Sequence, residues 1–289
     1  MDRSTQRERA ERFLRHHEGP DVLVVGSVWD PGSAVLFEHE GFEAIATSSA
    51  GVAFSLGYPD GERVPRDEML AAIARVVRAT RLPVSADVEM GYGRTAHEVS
   101  ETCRGVLDAG AIGVNLEDAT GDDDRPLVEP ELQAEKIRAV RATADALGIH
   151  LVINARTDVY LLQVGAEPAR FAEAARRTNL YRQAGADCLF VPGVVDHGTI
   201  ARLVREIDGP LNVLAVAGTP PVAELATLGV RRVSQGSGPA RAALATVRRI
   251  ARELCTRGTY TGYIADAISY ADANRLFERP LRRLRGHTG

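Results

Sequence analysis

Eight short apolar runs punctuate the chain: DVLVVG (21–26), FEAIAT (42–47), LPVSADV (82–88), AIGVNLE (111–117), HLVINAR (150–156), ADCLFVP (186–192), PLNVLAV (210–216) and GVRRVSQ (229–235). Runs this short and apolar read as strands buried on both faces, which helices packed over a parallel sheet produce. Helical patterns fill the gaps, clearest in PRDEMLAAIARVVRAT (65–80), TAHEVSETCRGVLDAG (95–110), PELQAEKIRAVRATADALG (130–148) and EPARFAEAARRTNLYRQAG (167–185). Several stop at a glycine just before the next run, a common helix ending. Eight strands, each followed by a helix, in about 230 residues predict an α/β fold of the (β/α)₈ barrel type, the barrel spanning about 20–250. The competing doubly wound sheet would carry a glycine-rich phosphate turn after an early strand, and GSVWDPGSA (26–34) is not one.

No linker or repeat interrupts the pattern, so the 289 residues are expected to form one domain. Residues 3–17 read as an extra N-terminal helix and 258–284 as a C-terminal helical extension. Tyr260, Tyr263, Ile264, Ile268 and Tyr270 make that extension too apolar for a lone surface helix, so it is expected to pack on something, a neighbouring subunit of a homo-oligomer among the candidates. A formal charge of −4 with no basic block argues against nucleic acid and anionic membrane. No apolar run approaches the ~20 residues of a membrane span, and the charged N-terminus lacks a secretory pattern. Cys103, Cys188 and Cys255 are few, odd in number and scattered, which fits a reducing cytoplasm. Lys136 is the only lysine. In mid-helix it is expected on a solvated face, which sets Schiff-base chemistry aside.

Barrel active sites lie at the C-terminal strand ends. Here those ends carry Thr47-Ser48-Ser49-Ala50-Gly51, then Asp87-Val88-Glu89-Met90-Gly91-Tyr92-Gly93, Glu117-Asp118 and Arg156-Thr157-Asp158, with Tyr58 and Asp60 in the stretch after strand two. Carboxylates converging in a barrel mouth repel unless a cation joins them. An all-oxygen set without His or Cys suits Mg²⁺, or Mn²⁺. Arg156 can clamp a carboxylate, and the backbone N–H groups of Ser48, Ser49 and Ala50 can receive a second anionic group. Metal, arginine and amides together describe a site for a small 2-oxo or 2-hydroxy dianion, with the metal stabilising an enolate.

The ordered segments GFEAIATSSAGVAFSLGYPDGE, ADVEMGYG, GVNLED and INARTD resemble the isocitrate lyase/phosphoenolpyruvate mutase superfamily, over about residues 15–250. The resemblance implies a (β/α)₈ barrel whose eighth helix is swapped between subunits, usually in a tetramer. It implies Asp87 as direct metal ligand, Asp60, Glu89 and Glu117 holding the metal's waters, Arg156 on the substrate carboxylate, and Ser48, Ser49 and Ala50 on a second carboxylate or phosphonate. The departures lie after strand four. Family lyases carry Lys-Lys-Cys-Gly-His there, with Cys as acid/base, and phosphonopyruvate-processing members a lysine and an asparagine. This chain has Ala119-Thr120-Gly121-Asp122-Asp123-Asp124-Arg125-Pro126-Leu127.

Each candidate has a plainer reading. Asp60 can be a turn residue, Ser48 and Ser49 helix caps, and Arg156 a structural partner of Asp158 or Glu117. Trp29 walls the site or packs under the rim; Tyr58 and Tyr92 are pocket wall or packing. Asp122–Asp124 reads as solvated, with Arg125 inward only over an anionic substrate, and His197 as a first-turn helix residue. His150 reads as structural, Cys103 and Cys188 as buried hydrophobes. The expectation is a Mg²⁺-dependent carbon–carbon lyase of a small 2-oxo or 2-hydroxy carboxylate, with Asp60, Arg156 and Tyr58 the catalytic candidates. Decarboxylation of an oxaloacetate-like acid fits best and retro-aldol cleavage of a substituted malate is next. Phosphonopyruvate hydrolysis or mutation, and a non-catalytic carboxylate-binding barrel, are the alternatives.

Overall fold

A computed structural model describes residues 2–264 and 266–278. They fall into two compact units, one ending at Arg241 and one beginning at Ala242. The first unit alternates strand and helix. After α1 (Arg3–Glu18) come β1 (Leu23–Val24), β2 (Gly26–Val28), α2 (Pro31–His39), β3 (Ile45–Thr47), α3 (Ser49–Leu56) and α4 (Arg66–Ala79). There follow β4 (Val84–Asp87), α5 (Ala96–Ala109), β5 (Gly113–Glu117), α6 (Pro130–Ala146), β6 (Val152–Arg156) and α7 (Glu167–Gln183). The unit continues through β7 (Cys188–Phe190), α8 (His197–Glu206), β8 (Leu211–Leu214), α9 (Val222–Leu228) and β9 (Arg232–Ser234). The chain then enters α10 (Gly238–Arg257), and the second unit adds α11 (Thr261–Ile264) and α12 (Tyr270–Phe277). The expected 258–284 extension is thus helical in part; residues 265 and 279–284 lie outside the described residues.

All strand pairings are parallel, in the order β1-β9-β8-β7-β6-β5-β4-β3-β2. Only Val25 separates β1 from β2. Its N–H donates to Val233 O, whereas that of Gly26 donates to Ala44 O. One kinked strand therefore serves both seams, and the nine segments are the eight strands expected of a (β/α)₈ barrel.

Register sorts the side chains. Asp87 pairs with Asn115, Asn115 with Asn154, Asn154 with Cys188, and Asn212 with Arg232, so these share one face. The alternate positions Val114, Leu116, Ile153, Ala155, Val213 and Val233 form the apolar layer under the helices. Barrel interiors are usually filled by Val, Ile and Leu. This one is polar and must bond internally. Asn154 Nδ2 donates to Asn115 Oδ1 at 2.9 Å, and Asn115 Nδ2 to Asp87 Oδ1 at 2.9 Å.

The N-terminal helix plugs the opposite end. Phe13 is fully buried. Gly113 makes room for it, since a Cβ there would lie 2.9 Å from Phe13 Cε1. His150 sits at this end with Nε2 2.7 Å from Asp187 Oδ1, a structural pair as expected. Burial pushes the Cys103 and Cys188 thiols up to about 12, as suits inert core residues.

Lys136 departs from expectation. It is 2% exposed, on the inward stripe of α6 with Gln133, Ile137 and Val140. Its ammonium donates to Gly93 O at 3.1 Å. An aliphatic stem crossing a helix interface, with its charge on one carbonyl, explains how a lysine is accommodated there.

Candidate active site

The site is built from Asp87 outward. Asp87 Oδ2 accepts from the Ser49 N–H at 3.0 Å and the Ser49 hydroxyl at 2.9 Å. Oδ1 takes Asn115, and the Asp87 N–H donates to Thr47 Oγ1 at 2.9 Å. Ser48 caps α3, accepting from Gly51 N–H at 3.2 Å, so the capping role is real. Ala50 sits between these in the first turn, buried. Trp29 packs beside the same turn: a Cβ on Gly51 would lie 2.9 Å from Trp29 Cβ.

Glu89 follows in the loop after β4 with a left-handed backbone, φ 53°. Its carboxylate accepts the Glu62 N–H at 2.6 Å. Burial first, then the charges of Asp87 and Asp60, push the Glu89 carboxyl up to about 8. Burial and Asp87 also raise Asp60, which lies on the exposed rim. Glu117 is raised by burial, against the pull of Arg156.

Arg156 makes the structural contacts that were its plainer reading. Nε and Nη2 lie 2.5 and 2.7 Å from the Asp158 oxygens, and Nη1 lies 2.6 Å from Glu117 Oε2. A guanidinium has five N–H donors, so two remain. Asp158 is fixed in turn: its N–H donates to Asp118 Oδ1, and Asp118 Oδ2 takes Tyr181 and Arg177.

The structure thus brings Asp60, Asp87, Glu89, Glu117 and Ser49 together. Tyr58 does not join them in hydrogen bonding; its hydroxyl donates to Glu68 Oε2 on α4 at 3.4 Å. His197 is the exposed first residue of α8. Gly121–Arg125 are all exposed. Glu62, Asn115 and Asn154 also bond into this cluster and were not among the expected site residues. The asparagines are readable as polar residues two positions before Glu117 and Arg156 on the same strand face. Glu62 is not, because its role depends on a loop contact 27 residues away.

The donor set fits a hard divalent cation. Asp87, Glu89, Glu117 and Asp158 stand near one guanidinium, Arg156, which Glu117 and Asp158 already occupy, and every donor is oxygen. Among the described residues, no group of three or more His, Cys, Asp or Glu is arranged to close directly on an ion.

Comparison with known proteins agrees with this architecture. A family model for phosphoenolpyruvate phosphomutase matches residues 13–255. A 2-methylisocitrate lyase of Aeropyrum pernix is 31% identical over 84% of this chain and 78% of its own. The oxaloacetate decarboxylase 2 of Pseudomonas putida is 31% identical over 85% and 82%. A Burkholderia cenocepacia structure, provisionally assigned as a lyase/mutase, superposes with TM-score 0.90 at 40% identity, covering 96% of this chain and 98% of that one. A phosphonopyruvate hydrolase solved with oxalate and Mg²⁺ gives TM-score 0.81 at 25% identity, covering 93% and 94%.

Proposed function

This chain belongs to the phosphoenolpyruvate phosphomutase family, within the isocitrate lyase/phosphoenolpyruvate mutase superfamily, and from that premise we propose that it is a Mg²⁺-dependent lyase of a small 2-oxo or 2-hydroxy dicarboxylate, cleaving a carbon–carbon bond through an enolate. The observation that carries this reading is the excess of buried carboxylate around Asp87 over the cationic charge beside it. Asp87, with Asp60, Glu89 and Glu117 around it, would hold the ion; Mn²⁺ would serve as well. A bound Mg²⁺ would supply the charge that polarises the 2-oxo group and favours an enolate. The two remaining Arg156 N–H donors orient one substrate carboxylate. The Ala50 N–H receives the other, and Trp29 walls that side; the expected Ser48 and Ser49 amides are already engaged, by Val28 O and Asp87 Oδ2, as Gly51's is by Ser48 Oγ.

Decarboxylation fits best. The loop after β5 is closed on itself, with an antiparallel bridge from Ala119 to Leu127 and a hydrogen bond from the Thr120 hydroxyl to Arg125 O. It offers no cysteine, lysine or histidine as proton donor. Loss of CO₂ needs no protonated leaving group, whereas retro-aldol cleavage needs a base. Tyr58 is engaged with Glu68 and is poorly placed to be that base.

The test is a substrate panel with Mg²⁺ or Mn²⁺ against an EDTA control: oxaloacetate, 2-methylisocitrate, isocitrate, substituted malates and phosphonopyruvate. Metal-dependent pyruvate without phosphate supports the lyase reading. Phosphate from phosphonopyruvate overturns it in favour of phosphorus–carbon chemistry. Metal binding without turnover of any compound leaves a carboxylate-binding barrel.

The same reading includes a homo-oligomer in the cytoplasm. In the second unit Val247, Tyr260, Ile264, Ile268 and Tyr270 are all exposed, which supports a covering second copy and a swapped eighth helix. Sedimentation showing a monomer at micromolar concentration would overturn that part. No described helix is long and apolar enough to cross a membrane.

A further inference from the structure

The segment from Glu89 to Gly93 is held in an unusual backbone path. Glu89 and Tyr92 adopt φ 53° and 54°, Gly91 adopts 95°, and Glu62, which touches the segment, adopts 55°. Non-glycine residues pay for such geometry and keep it only where neighbours over-determine it. The neighbours here are specific. The Gly91 N–H closes a turn onto Val88 O at 2.8 Å. The Glu117 N–H donates to Glu89 O at 2.9 Å. Two contacts come from outside the strand ends. Glu62 Oε1 accepts the Tyr92 N–H at 2.7 Å, and Lys136 Nζ donates to Gly93 O at 3.1 Å.

Those two contacts flank one peptide group. Gly93 then leads through Arg94 to Thr95, the cap of α5, where Glu98 completes a capping box. The path is therefore clamped where it leaves the site. Glu62 closes a second connection, because its own N–H donates to the Glu89 carboxylate at 2.6 Å. A chain of contacts runs from Lys136 on α6, through Gly93, Tyr92 and Glu62, to the Glu89 carboxylate. The Glu62 and Glu98 charges offset the burial of the ammonium.

We propose that Lys136 and Glu62 are positioning residues for the metal side of the site: they fix the Gly93 carbonyl and the Tyr92 amide, and so hold Glu89 in the left-handed conformation that presents its carboxylate beside Asp87. This rests on the metal-dependent reading above and deepens it. It also gives the only lysine of the chain a task. A compact ammonium on a flexible stem can reach one carbonyl across a helix interface, where a planar guanidinium with five donors would leave most of them unsatisfied.

The sole lysine makes the test direct. In the metal-free full chain, acylation of Lys136 by a succinimidyl ester, read by peptide mass, is expected to run at least about tenfold slower than in the urea-unfolded chain. Equal rates overturn the brace, whatever the protein does with metal. Mn²⁺ titration of the free protein, read by electron paramagnetic resonance, forms the second arm. Lys136→Met and Glu62→Ala are each expected to weaken Mn²⁺ binding about tenfold, as loss of an outer support of a ligand does. A purely structural residue would lower Tm and leave Mn²⁺ affinity unmoved, and affinity within about twofold of the parent in both variants overturns the proposal. If Lys136→Met does not fold, Glu62→Ala and the acylation rate still decide it. A parent chain that binds no Mn²⁺ overturns the metal reading, while the acylation rate separately judges the clamp.

Discussion

Two adjacent loops at the same end of the barrel are built on opposite principles. The loop after β4, Val88–Arg94, places Glu89 and Gly91 in the interior and bonds to β5, α6 and the Glu62 segment. The loop after β5, Ala119–Leu127, exposes its whole tip and bonds to itself through Thr120, Asp122 and Arg125. Rigid support accompanies the carboxylates that would hold a cation. The segment where family lyases keep their acid/base has become a solvated acidic turn. On the proposed reading, the residues that would stabilise charge are firmly supported while no proton donor stands in the loop after β5, which favours reactions that need little proton transfer.

The largest expected effect comes from breaking the supported side at its centre. Asp87→Ala should lower metal-dependent kcat/KM by about a hundred- to a thousandfold in a coupled pyruvate assay. Retained turnover would show that the carboxylate cluster is not the reacting centre. Next come the glycines. Gly91→Ala puts a Cβ 2.7 Å from Val99 Cγ1 at φ 95°, and should destabilise the protein by about 2 kcal/mol in urea unfolding. Gly121→Ala meets nothing within 4 Å at φ 71°, and about 1 kcal/mol is expected from backbone strain alone. Equal losses would erase the contrast between the loops.

A pH dependence sharpens it further. The Glu89 carboxyl binds protons more tightly folded than unfolded, with its folded value pushed up to about 8 from 4.5. Its contribution to stability is therefore fully present below about 4.5 and lost as pH rises through about 8. Metal-free protein should lose Tm across that window, Glu89→Gln should flatten the slope, and Asp123→Asn should not. The smallest effect belongs to the exposed turn itself. Arg125→Ala should change kcat/KM by less than about threefold, and Tm hardly at all. A tenfold loss in kcat/KM would mean that the loop closes over substrate and would reopen phosphonate chemistry.

Much of this architecture is legible in the amino-acid sequence. The strand pattern places the ends at Thr47, Asp87, Glu117 and Arg156 to within a residue, with Glu89 just beyond one of them, while the family resemblance is what implies Asp60 beside them. Asp60 carries the least sequence signal of the four, since a carboxylate beside Pro and Gly also makes an ordinary turn. Lys136 misleads. A mid-helix position suggests solvent, yet its spacing of three from Gln133 and four from Val140 puts it on the buried stripe. Arg156 shows the remaining gap. Its residue type and position suggest Glu117 and Asp158 as partners, but which of its donors stay spare follows only from the distances between them.

The barrel follows from local patterns in the chain, because hydrophobic period and glycine stops act within one element and its neighbour. The same patterns set which residues stand at the C-terminal strand ends, because a strand's last side chains must face the mouth or the helices. Which residues touch across the barrel is set by the packing of the whole fold. The contacts Asp87–Asn115, Asn115–Asn154, Tyr92–Glu62 and Gly93–Lys136 join residues 28 to 43 positions apart. They exist because strand register and helix packing bring separate loops within 3.1 Å or less. Such distances follow from the closure of the whole barrel and are not encoded in any local pattern.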